Sequence, residues 1–95
     1  MPLFVIIGRD APDSKDKRPA ARADHLEYWK PLDEAGRVVV AGPLADFAGS
    51  LFVFQAENIE EAVEIADNDP YVAAGVFESS EVHGFKGVLP NLVYG

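Results

Sequence analysis

The chain has 95 residues, 48% of them hydrophobic, and 16 acidic against eight basic residues give it a net charge of −8. This length allows a single domain, residues 1–95, and the acidic balance excludes nucleic acid and anionic membranes as natural partners because neither polyanion would be neutralised. The lack of cysteine excludes thiol chemistry and disulfides. No membrane-length apolar run or basic leader is present, so a cytoplasmic protein is expected.

The first half of the chain predicts a strand, a helix and a second strand. Their ranges are Leu3–Gly8, Pro19 to about Ala35, and Arg37–Ala41. The polar segment Arg9–Arg18 predicts a loop between the first two elements. Gly36 is the expected C-cap of the helix, which Pro31 should kink or split because proline removes a backbone donor. The dipeptide Gly42-Pro43 is expected to stop the second strand.

The second half predicts two further strands and a second helix. The elements are a strand over Leu51–Gln55, a helix over Ile59–Ala66, a helical turn from Asp69-Pro70 to Gly75, and a strand over Val76–His83. Asn58 is a suitable N-cap for the helix. The remaining segment, Gly84–Gly95, reads as a tail with exposed apolar side chains that include Phe85, Val88, Leu89, Leu92, Val93 and Tyr94.

The order β-α-β-β-α-β predicts an α+β, ferredoxin-like fold with a four-stranded antiparallel sheet. Both helices should cover one face of the sheet. The first three strands are apolar on both faces, whereas a sheet with one solvated face would alternate apolar and polar residues. A second copy of the same sheet is the simplest cover for the other face, so we expect a homodimer joined sheet to sheet.

His25 is the most informative residue of the first helix. At helical spacing it lies on one stripe with Ala21, Tyr28 and Leu32, with Trp29 at the edge. An inward histidine paired with a distant acid such as Asp69 would be equipped for general acid–base chemistry. Two plainer interpretations stay open, namely a core histidine bonded to backbone and an Asp69 that only caps the helical turn.

Basic residues are concentrated before His25, since five of the eight lie in positions 9–22. Arg18 and Arg22 fall at a helix N-terminus, where the macrodipole disfavours cations, and this placement favours a site for an anionic or electron-rich ligand. Lys15 and Lys17 also fit a solvated loop. The two histidines are far apart in sequence, so no zinc site is predicted. Gly42 and Pro43 are candidates for a pocket wall opposite the first helix.

Three segments and a short fourth together resemble the YCII-related (YciI-like) family. They are Lys17-Arg18-x-x-x-Arg22-x-x-His25-Leu26, Gly36-Arg37 leading to Ala41-Gly42-Pro43-Leu44, Ala66-Asp67-x-Asp69-Pro70-Tyr71-Val72-Ala73-Ala74-Gly75-Val76-Phe77-Glu78, and Phe85-Lys86-x-Val88. The resemblance implies a dimeric α/β barrel and a catalytic histidine–aspartate pair, which falls on His25 and Asp69. A related enzyme is a dehydrochlorinase of a chlorinated hydroxyquinol, which implies proton abstraction without a cofactor.

Two hypotheses of function follow. In the first, the chain is a small cofactor-independent enzyme in which His25 is the general base or acid and Asp69 orients it. Substrate-binding candidates are Arg18, Arg22, Tyr28, Tyr71, Gly42 and Pro43, with Trp29 as a further aromatic of the pocket. Elimination, isomerisation and ring chemistry on a small polar aromatic all fit such a site. In the second hypothesis, the chain is a non-catalytic homodimer that binds a small ligand or serves as an interaction module.

Overall fold

The computed structural model describes residues 1–89. Its elements are β1 (Leu3–Asp10), α1 (Ser14–Glu34), β2 (Val38–Pro43), β3 (Gly49–Gln55), α2 (Ile59–Asp67), α3 (Pro70–Ala73) and β4 (Phe77–Phe85). The strands form one sheet in the order β2-β3-β1-β4, and every neighbouring pair is antiparallel. The predicted α+β fold with ferredoxin-like βαββαβ order is confirmed, with α3 as the predicted helical turn.

The predicted loop Arg9–Arg18 is wrong, because β1 extends to Asp10 and α1 begins at Ser14. The Ser14 hydroxyl and the Arg18 guanidinium both donate to the Asp10 carboxylate, at 2.7–2.8 Å. These bonds tie the first turns of the helix to the end of the strand, so tertiary contacts override a composition that favours a loop. The helix also continues through Pro31, so it is not split there.

The C-terminus of α1 confirms the predicted role of Gly36. This residue has φ +74°, a left-handed conformation that glycine adopts without a Cβ clash. The Gly36 N–H donates to the Asp33 carbonyl at 3.0 Å, and the Arg37 N–H donates to the Leu32 carbonyl at 2.9 Å. This pair of bonds is a Schellman motif, which satisfies carbonyls that the last helical turn leaves free.

Like β1, the other three strands run further than predicted, and β3 begins two residues earlier, at Gly49. Gly42 and Pro43 do not stop β2 but pair with Leu51 and Ser50 of β3. Proline is tolerated here because β2 is an edge strand, where a missing N–H breaks no ladder on the open side. The last strand, β4, includes Gly84 and Phe85, which were expected in the tail. The tail residues Leu92, Val93 and Tyr94 lie outside the described residues.

One face of the sheet carries the core. Alternate residues of β1 and β3 pack against buried side chains of the helices, and the cluster contains Phe4, Ile6, Ala21, Trp29, Phe52, Phe54, Ala56, Ala62, Ala66, Tyr71, Val76 and Phe77. Trp29, expected at the edge of the helical stripe, is buried in this cluster, whereas His25 and Tyr28 are only partly buried. The buried indole ring of Trp29 therefore anchors α1 to the core.

The opposite face of the sheet, here called the outer face, is also apolar. Val5, Ile7, Leu51 and Val53 lie there by strand alternation and are only partly buried. An ion pair between Arg9 and Glu81, with 3.0 Å between Nη2 and Oε2, joins β1 and β4 at one end of this face. Within residues 1–89 no helix combines the length and the apolar composition needed to cross a membrane.

Candidate active site

A cavity of about 690 Å³ opens between α1 and the half of the sheet formed by β2 and β3. Its lining residues are Arg18, Arg22, His25, Leu26, Glu27, Trp29, Lys30, Asp33, Val38, Val39, Val40, Ala41, Gly42, Pro43, Ser50, Phe52 and Tyr71. The volume is typical of small-molecule sites. The structure thus brings most of the predicted site residues together, including Gly42 and Pro43 as part of the wall.

His25 and Asp69 meet at this cavity although 44 residues separate them in the chain. Nδ1 of His25 lies 2.7 Å from Oδ1 of Asp69, the distance of a short charge-assisted hydrogen bond. The side chains are 12% and 3% exposed, so little water competes for this bond. No further His, Cys, Asp or Glu joins the pair in a metal-binding group within the described residues.

Asp69 serves the fold and the site at the same time. Its backbone is extended and its side chain caps α3, with Oδ1 accepting the Tyr71 N–H at 2.9 Å. Pro70 takes the first helical position, where its missing N–H costs nothing. The other oxygen, Oδ2, accepts the Trp29 Nε1–H at 2.8 Å. Oδ1 therefore caps α3 and contacts the imidazole, while Oδ2 contacts the indole.

The hydrogen bonding of Asp69 assigns the proton of His25. An ionised carboxylate can only accept hydrogen bonds, so with Asp69 ionised Nδ1 is the donor in the bond to Oδ1, beside the N–H groups of Trp29 and Tyr71. Nε2 of His25 makes no hydrogen bond within residues 1–89, and every buried side-chain nitrogen and oxygen there has a partner. Nε2 is therefore accessible at the cavity, where its lone pair in the neutral ring can accept a proton.

Aromatic rings fix the plane of the imidazole. Tyr71 stacks on His25 with centroids 3.9 Å apart and planes inclined by 5°, and Phe52 meets the imidazole edge-on at 5.7 Å. Phe77 supports Tyr71 from the side at 5.5 Å. A Cβ at Gly8 would lie 2.7 Å from the Phe77 ring, so glycine at this point of β1 leaves the space that the ring occupies.

Arg18 is anchored before any ligand arrives. It donates Nε–H and Nη2–H to the Asp10 carboxylate, and Nη2 also donates to Ser50 Oγ at 2.9 Å. The hydrogen bond to Asp10 is the main reason that the pKa of Arg18 is raised, with burial acting against it. Of the five N–H donors of a guanidinium, the two on Nη1 remain for a ligand. Arg18 also lies 5.2 Å from the Tyr71 ring centroid.

The same contacts change the pKa of Asp10. Burial on its own raises the pKa of this carboxyl. The hydrogen bonds from Arg18 and Ser14 and the charge of Arg18 outweigh burial, so the pKa lies below the ordinary value of 3.8. Asp10 is therefore a charged group that neutralises Arg18 from behind the cavity.

The other basic residues divide between the cavity and the surface. Arg22 is exposed, lines the cavity, and makes no ion pair within the described part of the chain. Arg9 pairs with Glu81 on the outer face, and Lys17 pairs with Asp13 at 2.9 Å. Lys15 is exposed and lies outside the lining. Of the five basic residues before His25, Arg18 and Arg22 line the cavity, and Lys30 of α1 joins them in the lining.

Tyr28 points to the other helix. Its hydroxyl donates to the Ile65 carbonyl of α2 at 2.8 Å, and the residue is not part of the cavity lining. Burial, with smaller effects of the Asp69 and Glu64 charges, raises the pKa of the Tyr28 hydroxyl. The structure thus places this predicted site residue between the two helices.

Sequence reasoning missed three polar groups of the site. They are the Trp29 N–H, the Asp10 carboxylate and the Ser50 hydroxyl. The one local signal is the spacing of four residues between His25 and Trp29, which puts both on one face of a helix but does not reveal the acceptor of the indole N–H. Asp10 belongs to the strand before that helix, so its contacts leave no such signal. Nothing near Ser50 in the sequence indicates that it faces Arg18, because that contact is made across the sheet.

Comparison with known proteins gives the family of this chain. The YCII-related domain family matches residues 2–86. Protein YciI of Escherichia coli O6:H1 is 41% identical over 97 aligned positions, which cover 92% of this chain and 99% of that protein. The chain therefore belongs to the YCII-related family.

Two solved structures share the fold. One is 5-chloro-2-hydroxyhydroquinone dehydrochlorinase (TftG) from Burkholderia phenoliruptrix AC1100 in complex with 2,5-dihydroxybenzoquinone. It is 32% identical, with a TM-score of 0.79, over 88% of this chain and 93% of that one. Muconolactone isomerase is 19% identical, with a TM-score of 0.64, over 87% of this chain and 86% of that one. The fold is that of the dimeric α/β barrel superfamily.

Proposed function

We propose that this member of the YCII-related family is an acid–base enzyme in which Nε2 of His25 exchanges a proton with a small polar aromatic or quinoid molecule. One observation carries the proposal. Nδ1 of His25 is held by the buried Asp69 carboxylate at 2.7 Å, while Nε2 is left accessible at a cavity of about 690 Å³. A histidine held in one tautomer beside a carboxylate is well suited to general acid–base catalysis.

The proton transfer needs only groups of this site. Nε2 takes a proton from a ring hydroxyl or from an acidic C–H, and the imidazolium that forms is stabilised by Asp69. In an elimination, the imidazolium returns this proton to the ring carbon that bears the leaving group. Nε2 then takes a proton from a second ring hydroxyl while the leaving group departs with the electron pair of its bond, so that a quinone forms and the substrate has lost one proton and one anion overall. Alternatively, the imidazolium returns the proton to another atom of the ring, which is an isomerisation. In both reactions His25 returns to its starting protonation state, after the elimination by proton exchange with water.

The substrate class follows from the cavity walls and from one relative. The walls are aromatic and aliphatic on the β2 and β3 side, while Nη1 of Arg18 and the guanidinium of Arg22 can meet ring oxygens. TftG, 32% identical, is named as a dehydrochlorinase of 5-chloro-2-hydroxyhydroquinone and was solved in complex with 2,5-dihydroxybenzoquinone. Chlorinated or otherwise substituted polyhydroxybenzenes, losing a proton and an anion, are therefore the first candidates.

A homodimer joined through the outer face belongs to the same proposal. Val5 and Val53 lie at the centre of a partly exposed apolar face, which a lone domain of this size would leave in water. A second copy would cover it without new chemistry. The site on the opposite face of the sheet would stay open to small molecules.

Chloride release from 5-chloro-2-hydroxyhydroquinone tests the catalytic proposal. The wild-type protein is expected to release chloride faster than the spontaneous reaction, and His25→Gln and Asp69→Asn should each lower kcat about 100-fold or more. Glu60→Gln is the control, because this residue is exposed on α2 and lies outside both the cavity lining and the outer face. Binding of the hydroquinone without turnover of any member of a substituted series would favour the alternative, a non-catalytic ligand-binding homodimer.

A further inference from the structure

Helix α1 presents two ring N–H groups to the two oxygens of one carboxylate. His25 and Trp29 are four residues apart and so lie on one face of the helix. The first is 2.7 Å from Oδ1 of Asp69 and the second donates to Oδ2 at 2.8 Å. Side chains of α1 therefore contact both oxygens of Asp69. Trp29 is a third side chain in direct contact with the proposed dyad of His25 and Asp69.

The indole of Trp29 is itself fixed by packing. It stacks on Phe52 with centroids 4.7 Å apart and planes inclined by 9°, and it meets Phe54 edge-on at 5.4 Å. The residue is only 7% exposed. The ring cannot turn without opening the core, so the position of its N–H is fixed. An Oδ2 atom that accepts from this N–H is therefore fixed as well.

Oδ2 of Asp69 depends on this donor. Within residues 1–89 the Trp29 N–H is its one hydrogen-bond partner, whereas Oδ1 accepts from both His25 and the Tyr71 backbone. Asp69 is 3% exposed, so water cannot readily replace a lost donor. Without the indole N–H, the carboxylate would rotate toward another donor, and the hydrogen bond between Oδ1 and Nδ1 of His25 would lose its alignment.

We propose that Trp29 is a positioning residue of the site: its N–H holds the plane of the Asp69 carboxylate and thereby keeps the proton of His25 on Nδ1. The catalytic consequence of this role rests on the proposed function, but the role itself does not. In this role the single tryptophan of the chain acts as a hydrogen-bond donor in addition to packing in the core.

Because the chain contains one tryptophan, replacing tryptophan throughout the protein changes residue 29 alone. Benzothienylalanine puts sulfur in place of the N–H and keeps the bicyclic shape. Fluorotryptophan, which keeps the N–H, is the matched control. With ¹⁵N-labelled histidine, NMR measures the ratio of the two neutral tautomers of His25. The sulfur analogue should lower the ratio of Nδ1–H to Nε2–H about 10- to 100-fold, the range of one hydrogen bond to a charged group, and fluorotryptophan should leave it unchanged.

Asp69→Asn and Asn58→Ala complete the design. The first removes the charge that orients His25 and should change the same ratio. The second removes the cap of α2, far from the cavity, and controls for lost stability. An unchanged ratio in the benzothienylalanine protein, with a changed ratio in Asp69→Asn, would overturn the role of Trp29 and leave the dyad standing. An unchanged ratio in both would overturn the dyad as well.

Kinetics give a second readout once turnover is measured. The sulfur analogue should lower kcat about tenfold with little change in KM, because the lost bond orients the base and does not touch the substrate. A rise in KM with kcat unchanged would show that Trp29 acts only as a wall of the cavity. If the analogue protein does not fold, Trp29→Phe, which also lacks the N–H, is compared by the same NMR ratio.

Discussion

The imidazole of His25 lies flat against the phenol ring of Tyr71, with centroids 3.9 Å apart and planes inclined by 5°. Tyr71 also donates its backbone N–H to Asp69 Oδ1, the oxygen that faces His25. The short helix α3 thus supplies the ring that fixes the plane of the imidazole and orients the carboxylate that fixes its rotation. His25 is held by the start of α3 as much as by its own helix.

The stack predicts different effects for two substitutions at position 71. Tyr71→Phe keeps the ring and should keep kcat within about threefold of wild type. Tyr71→Leu removes an aromatic pair that contributes roughly 0.5–1.5 kcal/mol, so kcat should fall about three- to tenfold. Steady-state kinetics on the same substrate, with thermal melts of both variants, make the comparison. Equal loss in the two variants would assign the effect to the hydroxyl instead of the ring.

Acid should weaken the fold partly through Asp10. Its pKa is lower in the folded protein than the ordinary 3.8, so its contribution is fully present above that pH and is lost as the pH falls through the lower folded value. Asp10→Asn should therefore cost about 1.5–3 kcal/mol of unfolding free energy at pH 7 and progressively less below pH 4. Urea unfolding of both proteins from pH 7 to pH 2.5 measures the difference. A difference independent of pH would contradict the assignment.

Arg22 should bind the anionic part of a ligand. 2,5-Dihydroxybenzoquinone is acidic and carries negative charge at neutral pH, and Arg22 is an exposed cation on the cavity wall. Arg22→Ala should weaken its binding roughly two- to fivefold, and added salt should reduce that difference. Quenching of Trp29 fluorescence reports the binding. Lys15→Ala, outside the lining, is the control and should bind as wild type does.

A charge at the centre of the outer face should separate the proposed dimer. Val53→Asp places a carboxylate where the second copy would pack, and burying it unpaired would cost several kcal/mol. Light scattering at micromolar concentration should show the wild type as a dimer and the variant as a monomer. Val63→Asp, on the exposed surface of α2, should remain dimeric. A monomeric wild type would contradict the dimer outright.

The sequence predicts the element order well because apolar runs and turn residues are local signals. Gly36 and Asn58 fall where helix ends were expected, and both make the expected cap contacts. The start of α1 could not be predicted in the same way. It depends on Asp10, which Ser14 and Arg18 reach only once the strand and the helix are in place.

The pairing of His25 with Asp69 was predicted as a hypothesis, and the structure brings the two side chains into contact. The orientation of the Asp69 carboxylate could not be predicted, because it depends on the N–H groups of Trp29 and Tyr71. In the sequence an indole on an apolar stripe indicates packing only. Its N–H becomes significant when the start of α3 places a carboxylate beside it.

The most direct test of the central claim is an NMR titration of the ¹⁵N-histidine-labelled protein with 2,5-dihydroxybenzoquinone. His83 serves as the internal control, since it lies on β4 outside the cavity lining. If Nε2 of His25 is the atom that exchanges a proton with the ligand, its resonance should shift in step with the quenching of Trp29 fluorescence, while the resonances of His83 stay in place. Saturation of the fluorescence change with no shift at Nε2 of His25 would contradict the claim.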